Sequence, residues 1–375
     1  MTEQLKLKLN DSKATRWGAL VIVAFTMMAA YYVNDVVAPL KTMLETDLAW
    51  SSTDFGFFTG GYSFLNVFFL MLIWGGLILD RFGIRFTGKL ATILMVGGTA
   101  LEYYAMTGLA GADATLFGIN EIFGYKTGVF VAFAGYSIFG VGAEVAGITV
   151  SKIIAKWFKG KELATAMGVQ VALARIGSQA GYAVAIPLAR AFGISTPVLL
   201  GLVLLLGGMI AFFIFAVMDK KLDKQMEAAA IAAGTEDEEE KFSFKDVKNI
   251  LVNPGFWLIA LLCVLFYSCV FPFQKFASEL MIIKYGINEN VAGTFAGLPA
   301  LGALILTPVF GGFIDKRGKS ASIMLLGSAM LICVHFIYAI PDINYWLVAI
   351  VLMIILGIAF SLVPSAMWPA VAKIF

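Results

Sequence analysis

The chain has 375 residues, 60% hydrophobic and only 14% charged, with a formal net charge of +2. About a quarter of a typical soluble domain is charged, so the composition excludes an ordinary soluble fold, and the near-zero balance is too small to suggest a nucleic-acid surface. Cys263, Cys269 and Cys333 sit in apolar runs without metal-ligand spacing, which excludes a thiolate metal centre and reads as core packing.

Apolar runs of about 20 residues are long enough to cross the hydrocarbon as helices. In chain order they fall near 17–40, 54–79, 87–108, 127–151, 163–190, 195–218, 254–279, 289–314, 320–340 and 344–371, which predicts an all-α membrane protein with ten spans. The first sixteen residues are polar and the run from Trp17 is long enough to span, so no cleavable leader is read there. The stretch 219–253 is polar and carries the run Glu236-Asp237-Glu238-Glu239-Glu240, which reads as a solvated linker with a short surface helix near its end.

Between the second and third spans lies a charged loop with Gly76, Asp80, Arg81, Gly83 and Arg85. It recurs between the eighth and ninth as Gly311, Asp315, Lys316, Arg317 and Gly318, and one offset of 235 residues carries Gly76, Asp80 and Gly83 onto Gly311, Asp315 and Gly318. Two related halves are therefore expected, with 1–218 a six-helix bundle, 219–253 a cytoplasmic linker and 254–375 a bundle holding four of six helices. The same offset predicts two further spans beyond Phe375. Of 27 Lys and Arg residues, 21 fall on one set of loops, and basic residues stay inside. The N-terminus and both charged loops are thus expected on the cytoplasmic side. By symmetry between the halves, Asp315 is expected near the helix start at Glu162 as a latch, since a helix N-terminus favours a carboxylate.

A charge inside a span is costly and marks a partner or a task. Glu144 and Arg175 lie in the fourth and fifth spans, equally far on either side of the turn at Lys159-Gly160, so an antiparallel pair sets them at one depth. They can form a plain buried ion pair or bracket a zwitterion. Tyr62 and Asn66, four residues apart, share a helix face. Tyr31, Tyr32 and Asp35 lie toward the outer end of the first span, and Tyr267 and Gln274 flank Pro272, which loosens its helix. Packing or helix–helix hydrogen bonding competes with ligand contact at each. Trp368 either closes a cavity or marks the inner interface. His335, the only histidine, reads as a packing residue, as do Gly140 and Gly142. The absence of a Gly-Lys-Ser/Thr phosphate loop argues against ATP drive, and no metal or nucleophile constellation is present.

The Gly76–Arg85 loop and its copy resemble the signature loop of the major facilitator superfamily. That resemblance implies twelve helices in two bundles around a central cavity, with alternating access. Within the superfamily, the segments Tyr31–Asp35, Tyr62–Asn66, Phe139–Glu144, Trp157–Leu163, Ala174–Ser178, Val270–Phe273 and Met367–Ala372 are similar to the lysosomal dipeptide transporter family. The likeness implies that Glu144 and Arg175 hold the two termini of a ligand. Tyr136 stands where many members of the superfamily carry a basic residue, so no coupling role is implied there.

The sequence thus predicts a non-enzymatic secondary transporter of a small zwitterionic solute, with dipeptides implied by the resemblance. It would act as a monomeric facilitator in the lipid bilayer, without a cofactor. Tyr62, Asn66, Tyr32, Tyr267 and Trp368 join Glu144 and Arg175 as candidate substrate contacts. A proton-coupled organic anion carrier is the alternative within the class, and a non-transporting sensor or inactive truncated protein the alternative outside it. With no acidic dileucine signal near the N-terminus, the cell membrane is expected rather than the lysosome.

Overall fold

A computed structural model describes residues 8–111, 114–233 and 251–374. The chain divides into two compact units, Met1–Glu236 and Asp237–Phe375.

In the first unit, α1 (Lys13–Val36) begins where Ser12 accepts the Thr15 N–H, and α3 (Ser52–Phe68) begins at a reciprocal capping box between Ser51 and Asp54. A short α2 (Lys41–Asp47) lies between them. Met71–Thr107 forms α4, followed by a two-stranded hairpin, β1 (Glu121–Ile122) and β2 (Tyr125–Lys126), and then α5 (Thr127–Trp157), α6 (Leu163–Phe192) and α7 (Thr196–Ala233). The packing alternates along the sequence: α1 lies on α6 and α7, α5 lies on α3 and α4, and α4 also meets α7. Glycines make these approaches close enough. A Cβ added to Gly140 would stand 2.2 Å from the Tyr62 carbonyl oxygen, and one on Gly142 2.7 Å from that of Ala91.

Three boundaries differ from the sequence reading. The second span is two helices: α3 ends at Phe68, Leu70 takes a left-handed conformation, and the chain bends by 57° into α4. The signature loop is a break inside α4, made by Gly83 at φ 73°, ψ 174°, a region essentially restricted to glycine. The sixth helix does not stop near residue 218 but runs on as α7 to Ala233, with Asp219 fully buried and the residues after it strong helix formers. The remainder of the expected linker, 234–250, with its acidic run, lies outside the described residues.

In the second unit, α8 (Pro254–Ile283) starts with Asn253 accepting the Gly255 N–H. It is followed by α9 (Glu289–Ala296), α10 (Leu298–Arg317), α11 (Ser320–Ala339) and α12 (Trp346–Ile374). Both α10 and α11 pack on α12, and α8 on α9. Past the end of α8, the Lys284 ammonium donates to the carbonyls of Tyr338 and Ile340 at 2.6 and 2.7 Å, holding the C-terminal end of α11. The cysteines do not behave as the core residues expected. Cys269 and Cys333 are exposed and Cys263 half-buried.

Among the described residues, seven helices are long and apolar enough to cross a membrane, and the bent α3–α4 pair makes an eighth. Leu163–Phe192 adds a membrane-length helix of 30 residues, less apolar through Gln170, Arg175, Ser178 and Gln179.

Candidate functional site

Glu144 stands on α5, whose face meets α3, and Arg175 stands on α6, whose face meets α1. The two helices that carry them touch only marginally, so the hairpin pairing expected from their equal distance to the turn is replaced by contacts through intervening helices. Glu144 is half-buried, and its Oε1 accepts the Tyr62 hydroxyl of α3 at 2.7 Å. The guanidinium of Arg175 lies over the Tyr31 ring of α1, 5.5 Å from its centroid, a favourable placement for a cation on an aromatic face. A half-buried carboxylate and a half-buried guanidinium, each steadied by a tyrosine, thus sit in one unit. α1, which carries Tyr31, packs on both α5 and α6.

The other candidates separate. Asn66 donates to the Tyr62 carbonyl one turn back, while its own Oδ1 is buried without a hydrogen-bond partner. That orphan acceptor, one turn along α3 from Tyr62, is the kind of group a ligand donor satisfies. Tyr32 faces the opposite way: it is 2% exposed and its hydroxyl donates to the Pro197 carbonyl at 3.2 Å, tying α1 to α7. Of the two neighbouring tyrosines, Tyr31 is the one that lies against Arg175. Next along α1, Asn34 accepts the Tyr136 hydroxyl and donates to Asp35 at 2.8 Å, so Tyr136 serves a buried network. In the second unit, Tyr267 stacks on Phe271 at 5.1 Å within a cluster including Phe266 and Phe360. Trp368 is half exposed on α12. His335 packs edge-on against Phe273.

The Asp80–Arg85 loop is tied into neighbouring helices rather than closed on itself. Asp80 pairs with Lys152 of α5 at 2.9 Å. Arg85 reaches Asp219 at 3.3 Å and also pairs with Asp223, both on α7. Asp219, with no exposed side-chain surface, further accepts Lys156 Nζ at 2.8 Å and Trp157 Nε1 at 2.9 Å. Arg81 lies over Phe82, and in the second copy Arg317 lies over Phe313. The two motif glycines play one role: Gly83 has φ 73° and Gly318 φ 65°, each ending a helix where no side chain fits comfortably. Gly76 and Gly311 are half-buried with open space beside them, Lys316 is exposed, and the Asp315 side chain lies outside the described ones.

The sequence reading missed Asp219 and Asp223 by assigning them to a linker, although the basic residues Arg85 and Lys156 at the same end called for counter-charges. It also missed Glu102, a fully buried carboxylate on α4 whose backbone nitrogen lies against Gly135 of α5 and which is marked in sequence by its place inside an apolar run.

The Major Facilitator Superfamily pattern matches residues 19–375. The chain belongs to the Major Facilitator Superfamily. Like the members of that superfamily it resembles, it is a multi-pass membrane transporter and not an enzyme. It is 28% identical to the lysosomal dipeptide transporter MFSD1 of Homo sapiens over 373 residues, covering 96% of this chain and 73% of that one. Against MFSD1 of Gallus gallus it is 32% identical over 251 residues, covering 64% and 54%. Two solved superfamily structures share the fold. The xylose transporter XylE from E. coli, in a partially occluded inward-open conformation, gives a TM-score of 0.63 at 16% identity over 96% of this chain and 87% of that one. Tetrameric PepTSo2 gives 0.62 at 12% identity over 93% and 82%.

Proposed function

We propose that this transporter carries dipeptides, or solutes with a dipeptide's separated ammonium and carboxylate, as a monomeric facilitator. The observation that carries the reading is the Tyr62–Glu144 pair set in one unit with Arg175 over Tyr31. A guanidinium presents a planar fork to a carboxylate. Glu144 presents an acceptor to an ammonium, and the buried Asn66 Oδ1 offers a second acceptor to a backbone N–H. Each charge is already steadied by a tyrosine, so the empty site leaves neither one bare. The named relatives are dipeptide transporters, which supports the same substrate class.

In this reading the two compact units are the bundles of an alternating-access carrier. The N-terminus and the Asp80–Arg85 loop face the cytoplasm, and the protein resides in the cell membrane. The second loop faces the same side. Uptake of a radiolabelled dipeptide into liposomes, with and without an imposed pH gradient, tests this. Saturable uptake that is unchanged by the gradient supports a facilitator. Uptake that depends on the gradient supports a proton-coupled carrier instead, and no uptake of any dipeptide contradicts the substrate assignment.

A further inference from the structure

Between α4 and α5, at the end of the first unit opposite the Asp80–Arg85 loop, the chain makes two successive two-residue turns, each of the sequence Phe-Gly. In the first, Leu116 and Ile119 exchange both backbone hydrogen bonds at 3.0 Å around Phe117 and Gly118. In the second, β1 and β2 pair Ile122 with Tyr125 around Phe123 and Gly124. All four central residues have positive φ: Phe117 53°, Gly118 80°, Phe123 54° and Gly124 80°. Turns of this kind select Asn or Asp at the first position because a larger side chain is strained there. Here phenylalanine occupies it twice, and both rings stand outside the protein, 95% exposed at Phe117 and 87% at Phe123. Strain and exposure both count against phenylalanine at these points, so a surrounding that accepts the rings must offset them.

The turns lie just past the ends of two membrane-length helices, α4 and α5, which points to that surrounding. The hairpin is pinned to the helix ends: Tyr125 stacks on Phe57 of α3 at 3.8 Å, Lys126 donates to the Ala49 carbonyl, and the Thr127 hydroxyl donates to the Ile119 carbonyl at 2.8 Å. The Phe123 ring folds back to 5.9 Å from Phe130, which lies in the first turn of α5. Strands two residues long rise by only about 7 Å, within the roughly 5–7 Å of headgroup region on each side of the hydrocarbon. We infer that Phe117 and Phe123 are a paired membrane anchor that inserts into the bilayer interface at this end of the first unit, its ligand being the boundary between phospholipid headgroups and acyl chains. The turns hold the rings in place beforehand, so little conformational freedom is lost on insertion. Phenylalanine is among the side chains that interfacial segments bury in the headgroup–acyl boundary.

The test uses the full chain with its three cysteines replaced, spin-labelled at Phe117→Cys, Phe123→Cys or, as a polar control on β1, Glu121→Cys, and reconstituted in phosphatidylcholine liposomes. Labels at 117 and 123 should collide more readily with oxygen than with a water-soluble nickel chelate, and the label at 121 should show the reverse. Nickel access at 117 and 123 equal to that at 121 would overturn the anchor, as would shielding from both reagents, which signals a protein partner. A second measurement does not depend on labelling. The double variant Phe117→Asn/Phe123→Asn suits both turns, so its melting temperature in detergent should match or exceed that of wild type. In nanodiscs its hairpin amides should exchange at least several-fold faster than those of wild type. Equal exchange in nanodiscs would overturn the proposal.

Discussion

The Tyr62 hydroxyl donates to Oε1 of Glu144 across 2.7 Å, joining α3 to α5. A hydrogen bond to a charged group contributes about 1.5–3 kcal/mol. Tyr62→Phe keeps the ring, its packing against Tyr136 and Phe139, and the helix contact, so the fold should persist. Glu144 would lose the partner that orients it, and dipeptide affinity measured by calorimetry should fall about tenfold, the equivalent of about 1.4 kcal/mol. Unchanged affinity would show that Tyr62 plays no part in the site.

Arg175 over Tyr31 gives a second expectation. Tyr31→Leu keeps an apolar contact and removes the ring face, whose attraction for a cation is about 0.5–2 kcal/mol. Transport should fall several-fold through a higher KM, and Tyr31→Phe should restore most of it, because the ring face rather than the hydroxyl holds the guanidinium. Equal transport by the leucine and phenylalanine variants would remove the ring from the account.

At the other end of the first unit, Asp219 gathers Arg85, Lys156 and Trp157 with no exposed side-chain surface of its own. Removing one partner of a buried charge cluster costs about 3–5 kcal/mol. Asp219→Asn should therefore lower the melting temperature in detergent by several degrees. Arg85→Ala should cost much less, about 1 kcal/mol, because the Arg85 side chain is 39% exposed. Equal losses for the two would contradict this ranking.

Gly83 and Gly318 end helices at positive φ with nothing within 4 Å of an added Cβ, so the cost of alanine there is backbone strain alone. Each substitution should destabilise by about 1–3 kcal/mol. Gly76→Ala, on a helical backbone with the same open space, should be neutral or slightly stabilising. Thermal denaturation of the three variants decides it.

The N-terminal segment makes a pH prediction. Arg16 donates to Glu162 at 2.8 and 3.2 Å, and Lys161 donates to Asp11 at 2.8 Å, strapping the start of α1 to the α5–α6 turn. The Arg16 guanidinium lowers the Glu162 pKa below its ordinary value of 4.5. The Lys161 ammonium, helped by the Lys8 N–H, lowers that of Asp11 below 3.8. A carboxylate whose folded pKa is depressed adds stability above its unfolded pKa and loses it as pH falls through the folded one. The strap should therefore hold at neutral pH and loosen only below about pH 4.5. Amide protection over residues 8–16 should be flat from pH 5 to 8, and Arg16→Gln should lower it throughout that range.

The span pattern, the duplicated loop and the charges at 144 and 175 were legible because each is local: a run of apolar residues, a repeated spacing, a charge where charge is costly. The partners were not, because they are set by which helices pack together. Equal distance from the Lys159-Gly160 turn pointed to α5 beside α6, whereas α3 and α1 are the helices that supply Tyr62 and Tyr31. Asp219 was hidden for a related reason. A polar residue just past an apolar run reads as the start of a loop, whereas Arg85, Lys156 and Trp157 hold Asp219 and the stretch that follows it to Ala233 is rich in strong helix formers. The bend at Leu70 has no turn residue to announce it.

The central claim is that Glu144 and Arg175 hold the two termini of a zwitterionic ligand, and thermal stabilisation of the detergent-solubilised protein by a dipeptide tests it most directly. Wild type should melt several degrees higher with the dipeptide. Arg175→Lys should lose most of that shift although it keeps the charge, because an ammonium lacks the planar fork. Glu144→Gln should lose it for the free dipeptide but keep whatever smaller shift the N-acetylated analogue gives wild type. If both variants are stabilised by the free dipeptide as strongly as wild type, the two charges are structural and the site lies elsewhere.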